Sequence, residues 1–460
     1  MCVLSNRLYA LLLLSGILAV ANAADTVPAA AINASNATAA TSAAGAASEA
    51  PSTRPQFRIR PVDDAWRTAL PRNADAATQA YLDRLPVDVV KRSNAYFEGG
   101  YWLQLWNLLL SLGIAFVLLT GQRSARMRDW AQRIGRKAFF RDALFAALYA
   151  VVAWMLSLPL TIYQGYFREH QYAMATQAFG PWFAEQLIGL AVSVVLIAFV
   201  AAAFYAVLRK VGERWWLWGT GVAVAFFVLL TLVAPLLIDP LFNTYKPVAD
   251  GPVKQAVLAM AQANGVPADN VYEFDASRQT TRVSANVSGI FGSASVRLND
   301  NLLRRSSVPE IRAVMGHELG HYVMNHVYKT ITAFTLLLLA GFLFTQWAMT
   351  KLLARLGARF GVRGVSDVAG FPLLLAVISV FAFATTPLTN TLTRVQEIEA
   401  DRFGLNLARE PHGEAEVDLK LTEYRKPDPT PLEEFIFFDH PSTRFRIHDA
   451  MRWREAMGTP

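Results

Sequence analysis

The sequence has very little cysteine, little charge and no basic-aromatic module of the kind that binds nucleic acid. Cys2 is the single cysteine in 460 residues. It lies in a segment that we predict is removed, so disulfides, cysteine-ligated zinc and a cysteine nucleophile are excluded from the mature protein. Charged residues make up 17% of the chain and hydrophobic residues 53%. This composition is too apolar for an ordinary soluble domain and predicts a membrane protein with no nucleic-acid partner.

The N-terminal segment has the form of a secretory signal peptide. Residues 1–23 contain a basic residue, an apolar run over residues 11–20 and a small-residue cleavage site at 21–23. An uncleaved first membrane helix is the alternative. Residues 24–56 are rich in Ala, Ser and Thr and predict a disordered linker. Residues 57–98 have mixed charge and helical periodicity, which predict a small soluble helical segment.

Six apolar stretches are long enough to cross a bilayer. Each is nearly free of charge, and tryptophans cluster at their ends, as in the interfacial belt of membrane proteins. The sequence therefore predicts a mostly α-helical, polytopic membrane protein with about six transmembrane helices. An N-terminal helical and transmembrane region covers residues 57–238, and a catalytic region covers residues 239–460. The six stretches are residues 101–120, 143–165, 186–208, 215–238, 330–350 and 368–389.

Lysine and arginine are concentrated in every other connection between these stretches. The connections after the first, third and fifth stretches are basic, whereas the connection after the second contains only Arg168. Short basic loops face the cytoplasm in membrane proteins. We therefore predict that residues 239–329 and 390–460 lie on the opposite side. The basic residues are Arg123, Arg126, Arg128, Arg133, Arg136, Lys137, Arg141, Arg209, Lys210, Arg214, Lys351, Arg355, Arg359 and Arg363.

Residues 239–329 form the largest polar insertion between the apolar stretches. Their pattern predicts one helix and three short strands, followed by a helix that begins at Ser307. We therefore predict an α+β domain with a small sheet, interrupted by the last two membrane stretches. The helix after Ser307 continues almost directly into the fifth stretch, which places any site on it at the membrane.

The stretch MGHELGHYVMNH contains the pattern HExxH. On a helix, His317 and His321 lie about 40° apart around the axis, so both imidazoles can bind one ion. Glu318 is offset by about 100° and can reach a water on that ion. Zinc lowers the pKa of such a water, and the carboxylate takes its proton. The pattern predicts a zinc-dependent hydrolase, with a chance pair of surface histidines as the alternative.

A catalytic zinc site of this kind needs a third protein ligand. On a continuous helix, His326 would lie about 180° from His317. The metzincin spacing would also place the third histidine one residue later. We therefore predict that His326 faces away from the metal, as a polar residue at the boundary between the helix and the membrane.

Polar residues also share one face of the helix predicted after the sixth stretch. Asn390, Arg394, Glu397 and Asp401 are spaced at i, i+4, i+7 and i+11. A solvated, salt-bridged face is one interpretation. In the other, Glu397 and Asp401 supply a metal ligand and an acceptor for a ligand histidine, because two histidines and a glutamate form a standard catalytic zinc set. Glu399 points about 200° from Glu397 and is the weaker candidate ligand.

HELGH followed by NTLTRVQEIEAD resembles the M48 zinc peptidases, and the arrangement of spans resembles their Ste24-type (CAAX prenyl protease 1) branch. The resemblance runs roughly from residue 85 to the C-terminus and includes RSNAYFEGGYW and DHPSTRFRI. It implies that residues 239–460 form a zincin-like α+β catalytic domain, with one Zn²⁺ per chain and a glutamate base. The implied roles are zinc ligands for His317, His321 and Glu397, general base for Glu318, orientation of a histidine for Asp401, oxyanion stabilisation for His440, and support for Asn390, Arg394 and Arg446.

The resemblance also implies that an edge strand binds the substrate backbone by β-augmentation. The matching residues are Ala285, Asn286 and Val287 in the stretch SANVSGIF. An open sheet edge can pair with any extended peptide, whatever its side chains. The family's usual His-Ser-Asn-Ala run reads Arg-Val-Ser-Ala-Asn here, so the register does not carry over directly. An ordinary hairpin strand is the alternative.

Taken together, these patterns predict an integral membrane zinc metalloendopeptidase that cleaves peptides or membrane-protein segments. The signal peptide points to a bacterial inner membrane, where prenylated CAAX proteins need not be the substrate. The charge pattern predicts a catalytic region on the non-cytoplasmic side, whereas family analogy predicts the cytoplasmic side. The oligomeric state is open, and a monomer suffices. A scaffold that keeps the zinc site without catalysis is the second hypothesis, and a transporter ranks third because the spans hold almost no ionisable residues.

Overall fold

The computed structural model describes residue 59, residues 62–289 and residues 294–458. The signal peptide and the linker predicted for residues 1–56 lie outside the described residues. The described part is mostly helical with one small sheet, which confirms the predicted fold class. The helices that precede the sheet are α1 (Asp64–Thr68), α2 (Ala74–Leu82), α3 (Val87–Leu119), α4 (Arg123–Ile134), α5 (Ala138–Ile162), α6 (Arg168–Gln171), α7 (Phe179–Val211) and α8 (Trp215–Val233).

Five continuous helical stretches of the described residues are long and apolar enough to cross a membrane. The longest, Phe179–Leu241, has 63 residues and contains both α7 and α8. It does not run straight, because a Cβ on Gly219 would lie 2.9 Å from the ring of Phe204. In a straight helix these positions would be roughly 22 Å apart. The turn lies at Gly212, whose φ is +59°. The five stretches therefore contain six apolar helices, one for each predicted stretch.

The three basic connections meet at one end of the bundle, named here the basic end (residues 120–142, 209–216 and 346–370). Arg128 of α4 forms an ion pair with Asp367, and Ser124 donates a hydrogen bond of 2.7 Å to the carbonyl of Ala369. Arg209 of α7 pairs with Asp142 of α5. Because the chain returns to this end after each pair of apolar helices, the six helices alternate in direction.

The opposite end of the bundle carries the sheet and is named here the catalytic end. Its strands are arranged in the order β1-β2-β4-β3, so β3 is an edge strand. β2 and β4 are parallel, and the other two pairs are antiparallel. The elements are β1 (Tyr245–Pro247), α9 (Pro252–Ala263), β2 (Val271–Phe274), β3 (Ala285–Ser288), β4 (Ser295–Asn299) and α10 (Asp300–Arg305).

The remaining helices carry the candidate site and cover the sheet. The first of them begins with a capping box, in which Ser307 and Glu310 satisfy each other's backbone N–H groups. These helices are α11 (Val308–Val323), α12 (His326–Phe360), α13 (Phe371–Ala408), α14 (Pro411–Leu421), α15 (Pro431–Phe437) and α16 (Thr443–Met457).

The helix boundaries in the structure differ in two places from those assumed in the sequence analysis. The segment 57–98 is not a separate soluble piece, because its residues from Val87 onward form the first part of the long helix α3. The helix that carries HExxH does not run continuously toward the fifth stretch. It ends at Met324, and Asn325 has left-handed backbone angles with φ of +57° before α12 begins. This break changes where His326 points.

Candidate metal centre

Glycines bring the two halves of the site together, because they allow α11 and α13 to pack backbone against backbone. A Cβ on Gly316 would lie 3.0 Å from the carbonyl oxygen of Gly404. A Cβ on Gly404 would lie 2.7 Å from the backbone nitrogen of His317. Position 404 therefore requires glycine, and a side chain at position 316 would push the two backbones apart. The close approach sets the histidines of α11 opposite Glu397 of α13.

His317, His321 and Glu397 form a compact triangle of possible ligand atoms. The two Nε2 atoms lie 3.0 Å apart, Nε2 of His317 is 3.3 Å from Glu397 Oε2, and Nε2 of His321 is 3.4 Å from Glu397 Oε1. Tetrahedral zinc with bonds of about 2.0–2.1 Å separates its ligands by about 3.3 Å. His321 and Glu397 are almost completely buried. The residues therefore fit a zinc ion in both chemistry and spacing.

Asp401 holds the imidazole of His317 from behind. Its Oδ1 lies 2.6 Å from Nδ1 of His317, and its Oδ2 lies 3.1 Å from Nε of Arg446. Burial lowers the pKa of His317, but the carboxylates of Asp401 and Glu397 outweigh that effect and raise it to about 10. The same carboxylates favour a metal cation at this position. With Nδ1 bound to Asp401, Nε2 is the nitrogen that faces Glu397.

His326 is the residue that the sequence reasoning misplaced. The break at Asn325 turns it back toward the site, where it is fully buried. Its Nδ1 lies 2.8 Å from Nδ1 of His321, and its Nε2 lies 3.0 Å from Oε2 of Glu399. The prediction that His326 faces away is therefore wrong, although His326 lies behind His321 and outside the ligand triangle. Asn at 325, which tolerates left-handed angles, was the available sequence signal.

Glu318 and His440 line the same pocket as the ligand residues. Nε2 of His440 lies 3.3 Å from Oε2 of Glu397, and its Nδ1 lies 2.8 Å from Oδ1 of Asp439. Burial raises the pKa of Asp439, but the neighbouring His440 outweighs it and lowers that pKa overall. Asp439 thus holds His440 with its Nε2 facing the site.

Asn390 and Arg394 do not reach the ligand triangle. Asn390 Nδ2 donates a 2.8 Å hydrogen bond to the carbonyl of Ile436, and Arg394 donates to the carbonyls of Glu434 and Phe438. These bonds fix the backbone just before His440. Arg446, by contrast, reaches the site directly, since its Nη2 lies 3.2 Å from Oε2 of Glu397.

The edge strand β3 runs beside the pocket. Ala285 lines the pocket and is paired with Leu298 of β4. Val287 is buried beneath the sheet, and Asn286 Oδ1 is buried with no hydrogen-bond partner among the described residues. The opposite edge of β3 has no neighbouring strand within the part of the chain that the structure describes. The end of the predicted segment, from residue 290, lies outside the described residues.

Comparison with protein families covers most of the chain. Residues 247–454 match the family described as Peptidase family M48. Residues 69–244 match the family described as CAAX prenyl protease N-terminal, five membrane helices. The boundary between the two matches falls where α8 ends and the sheet begins.

Individual relatives give the same result. The chain is 31% identical over 358 residues to the "Uncharacterized metalloprotease YhfN" of Bacillus subtilis, covering 76% of this chain and 84% of that protein. It is 26% identical to the "CAAX prenyl protease 1 homolog" of Dictyostelium discoideum, covering 74% and 82%. The crystal structure of S. mikatae Ste24p shares the fold, with a TM-score of 0.67, 18% identity, and coverage of 80% of this chain and 90% of that one. The chain therefore belongs to peptidase family M48, with the membrane architecture of the Ste24-type, CAAX prenyl protease 1-like proteins.

Proposed function

We propose that this chain is an integral membrane zinc metalloendopeptidase that hydrolyses peptide bonds in extended peptides or membrane-protein segments. The observation that carries the proposal is the ligand triangle of His317, His321 and Glu397, set in a pocket with Glu318 and beside an open strand edge. Three ligands leave a fourth zinc position for water, as catalytic sites require, whereas structural sites are closed by four. All three ligands come from one chain, so a monomer suffices.

Each residue of the site has a distinct proposed task. When bound, the zinc ion would activate a water and polarise the substrate carbonyl. Glu318 takes the proton of that water and passes it to the leaving amine. His440, whose Nε2 lies 3.3 Å from Oε2 of Glu397, stabilises the negative charge that develops on the carbonyl oxygen. Arg446 supports Glu397 and Asp401. Asp401 keeps His317 in the tautomer whose Nε2 is free for the metal.

The edge of β3 supplies the proposed contact with the substrate backbone. An extended peptide paired with Ala285, Asn286 and Val287 would run past the ligand triangle, because Ala285 shares the pocket with His317 and Glu318. Backbone pairing holds many sequences in one register, so side-chain preference must come from the pocket walls.

Replacement of Glu318 tests the mechanism. Glu318→Gln keeps the shape of the side chain but removes the base, so zinc content should stay at one per chain while hydrolysis falls by about 10²–10⁴-fold. Glu213→Gln, an exposed change at the basic end, is the matched control and should retain full activity. Hydrolysis by Glu318→Gln at the wild-type rate would contradict the mechanism. A wild-type protein that binds zinc and cleaves no member of a peptide library would favour the scaffold hypothesis.

We further propose that the protein lies in a bacterial inner membrane with its catalytic end on the non-cytoplasmic side. The support is that all three basic connections lie together at the other end. In a Cys2→Ser background, an impermeant thiol reagent applied to intact cells should label Asp269→Cys and leave Arg126→Cys unlabelled. Both positions are exposed. The reverse labelling would place the catalytic end in the cytoplasm.

A further inference from the structure

Helix α14 has four charged side chains buried inside the catalytic end, and they differ in their ion pairs. Glu416 and Lys420 each have an ion pair of 2.6 Å with a residue of another helix or of the N-terminal segment. Glu414 and Asp418 lie on the face toward the pocket and have no such partner. These two carboxylates play no part in the metal site or in the proposed proton transfers.

Both carboxylates are buried and incompletely bonded. Glu414 is 6% exposed, and its side chain makes no hydrogen bond or ion pair within the described part of the chain, although it lines the pocket. Asp418 is 2% exposed, and its Oδ2 has no hydrogen-bond partner among the described residues. Its Oδ1 lies 3.6 Å from Nη1 of Arg446. Buried carboxylates normally have a cation or several hydrogen-bond donors.

Arg446 cannot supply the missing positive charge. Its guanidinium already lies 3.2 Å from Glu397 and 3.1 Å from Asp401, both closer than Asp418. Two other arginines line the pocket, but Arg282 is paired with Glu169 at 2.7 Å. The second, Arg425, lowers the pKa of Asp418 less than Arg446 does, and that pKa remains raised.

The titration of the pair reflects this deficit of positive charge. Burial is the largest cause that raises the pKa of Glu414, followed by repulsion from Asp418. Burial likewise raises the pKa of Asp418. A cation placed between the two carboxylates would offset both the burial and the repulsion, because it favours the charged form of each group.

We propose that Glu414 and Asp418 form a subsite that binds a cationic side chain of the substrate, lysine or arginine, next to the bond that is cleaved. The position follows from the shared pocket, which also contains His317 and Glu318. The proposal rests on the proposed peptidase function. It names a specificity determinant that backbone pairing with the edge strand cannot provide.

The apolar neighbours of the two acids suit a long basic side chain. Val417 and Leu421 lie on the same face of α14 and also line the pocket. Val417 follows Glu414 by three residues, and Leu421 follows Asp418 by three residues. Acidic and apolar side chains therefore alternate along that face of the helix. The methylene stem of lysine or arginine can pack on the apolar pair while its charged end reaches the carboxylates. A small metal ion would leave the apolar pair without a contact.

The test uses a set of peptides in which one residue is Lys, Arg, Met or Glu and the rest of the sequence is constant. The varied residue is placed first on one side of the scissile bond and then on the other. Wild-type protein should cleave the Lys or Arg peptide roughly 10- to 100-fold better in kcat/KM than the Met peptide at one position, as expected for charge-assisted hydrogen bonds. Glu414→Gln combined with Asp418→Asn should reduce that preference to about threefold or less while the Met peptide is still cleaved. Glu416→Gln, on another face of the same helix, should keep the preference.

Binding to the Glu318→Gln variant separates this proposal from the peptidase function. Fluorescence anisotropy of labelled peptides on that variant should show tighter binding of the Lys or Arg peptide, and the added double change should abolish the difference. This readout needs no hydrolysis, so a failure of catalysis does not affect it. Equal binding of Lys and Met peptides to Glu318→Gln overturns the proposal. A second zinc ion per chain that is lost with Glu414→Gln also overturns it, because a metal would then be the occupant.

Discussion

The two ends of the helix bundle differ in how their buried carboxylates are paired. At the basic end, the buried carboxylates are matched by guanidinium groups: Asp142 contacts Arg141 and Arg209, and Asp367 contacts Arg128. At the catalytic end, Glu397 lies within 3.4 Å of three histidines. There Glu414 has no partner among the described residues. The contrast agrees with the proposed function, in which the charges at the basic end stabilise the fold and some of the charges at the catalytic end bind ligands.

This difference has a thermodynamic consequence. A buried ion pair with good geometry mainly prevents the loss that either charge would suffer alone. Crowded histidines and unpaired acids cost free energy in the folded state, unless a cation or a substrate compensates them. Changes at the basic end should therefore affect stability without affecting the metal, whereas changes at the ligand triangle should affect metal binding.

The largest effect is expected at the ligand triangle. Glu397→Gln removes the only carboxylate of the ligand set. Changes to residues that contact a metal ligand, but not the metal, lower metal affinity by about 10- to 100-fold. Loss of the ligand itself should lower zinc affinity by more than that. The melting temperature of the variant without zinc should fall by several degrees, because Arg446 loses a buried carboxylate that lies 3.2 Å away. Zinc competition with a chelator and a melting curve measure the two quantities. Unchanged zinc affinity would remove Glu397 from the ligand set.

The next largest effect is a loss of stability at the basic end. Asp367→Ala removes the less exposed of the two carboxylates that contact the buried Arg128, which should cost roughly 3 kcal/mol and lower the melting temperature by several degrees. Zinc affinity should be unchanged. Asp129→Asn is the matched control, because its side chain is 49% exposed in its contact with Arg128, and exposed pairs contribute little. A loss of zinc in Asp367→Ala would show that the two ends are not independent.

A smaller effect is expected behind His321. With its Nε2 toward the metal, His321 can donate its Nδ1 proton to His326, which in turn donates to Glu399. His326→Ala should therefore lower zinc affinity by about 10- to 100-fold. Lys329→Gln, which changes only the 2.6 Å contact to Glu399, is the control and should have a much weaker effect. If both variants bind zinc as wild type does, His326 only fills space.

The smallest effect is a pH dependence of stability from Glu414. Because burial raises its pKa in the folded state, the folded protein holds this proton at pH values where the unfolded chain has lost it. Stability from this group is therefore complete in acid and is lost as the pH rises above the usual carboxyl range. Glu414→Gln should flatten the fall in melting temperature with rising pH. An unchanged slope in that variant would assign the dependence to other groups.

Parts of the fold and of the site could be predicted because their signals are local. Bilayer length and charge-poor composition identified six apolar helices, and Ser307 with Glu310 identified the start of the HExxH helix. The i, i+4 spacing placed His317 and His321 on one face. The same geometric reasoning failed for His326, because it assumed a continuous helix and a single left-handed residue at Asn325 reverses the direction of the chain.

The acidic pair could not be recognised in the sequence. In GEAEVDLKL every second residue from Glu414 to Lys420 is charged, which is typical of a helix exposed to solvent. Burial of all these residues depends on α14 packing between the HExxH helix and the C-terminal helix. Only then does it matter that Glu416 and Lys420 have partners while Glu414 does not.

The sequence by itself determined the membrane helices and two histidines on one helical face with Glu318 between them, because helix periodicity and bilayer thickness act over short distances along the chain. The tertiary structure decided which distant carboxylate completes the triangle, where His326 points and which buried charges stay unpaired. Those outcomes depend on how closely α11 and α13 approach, and that distance is set by contacts between glycines nearly 90 residues apart, Gly316 and Gly404.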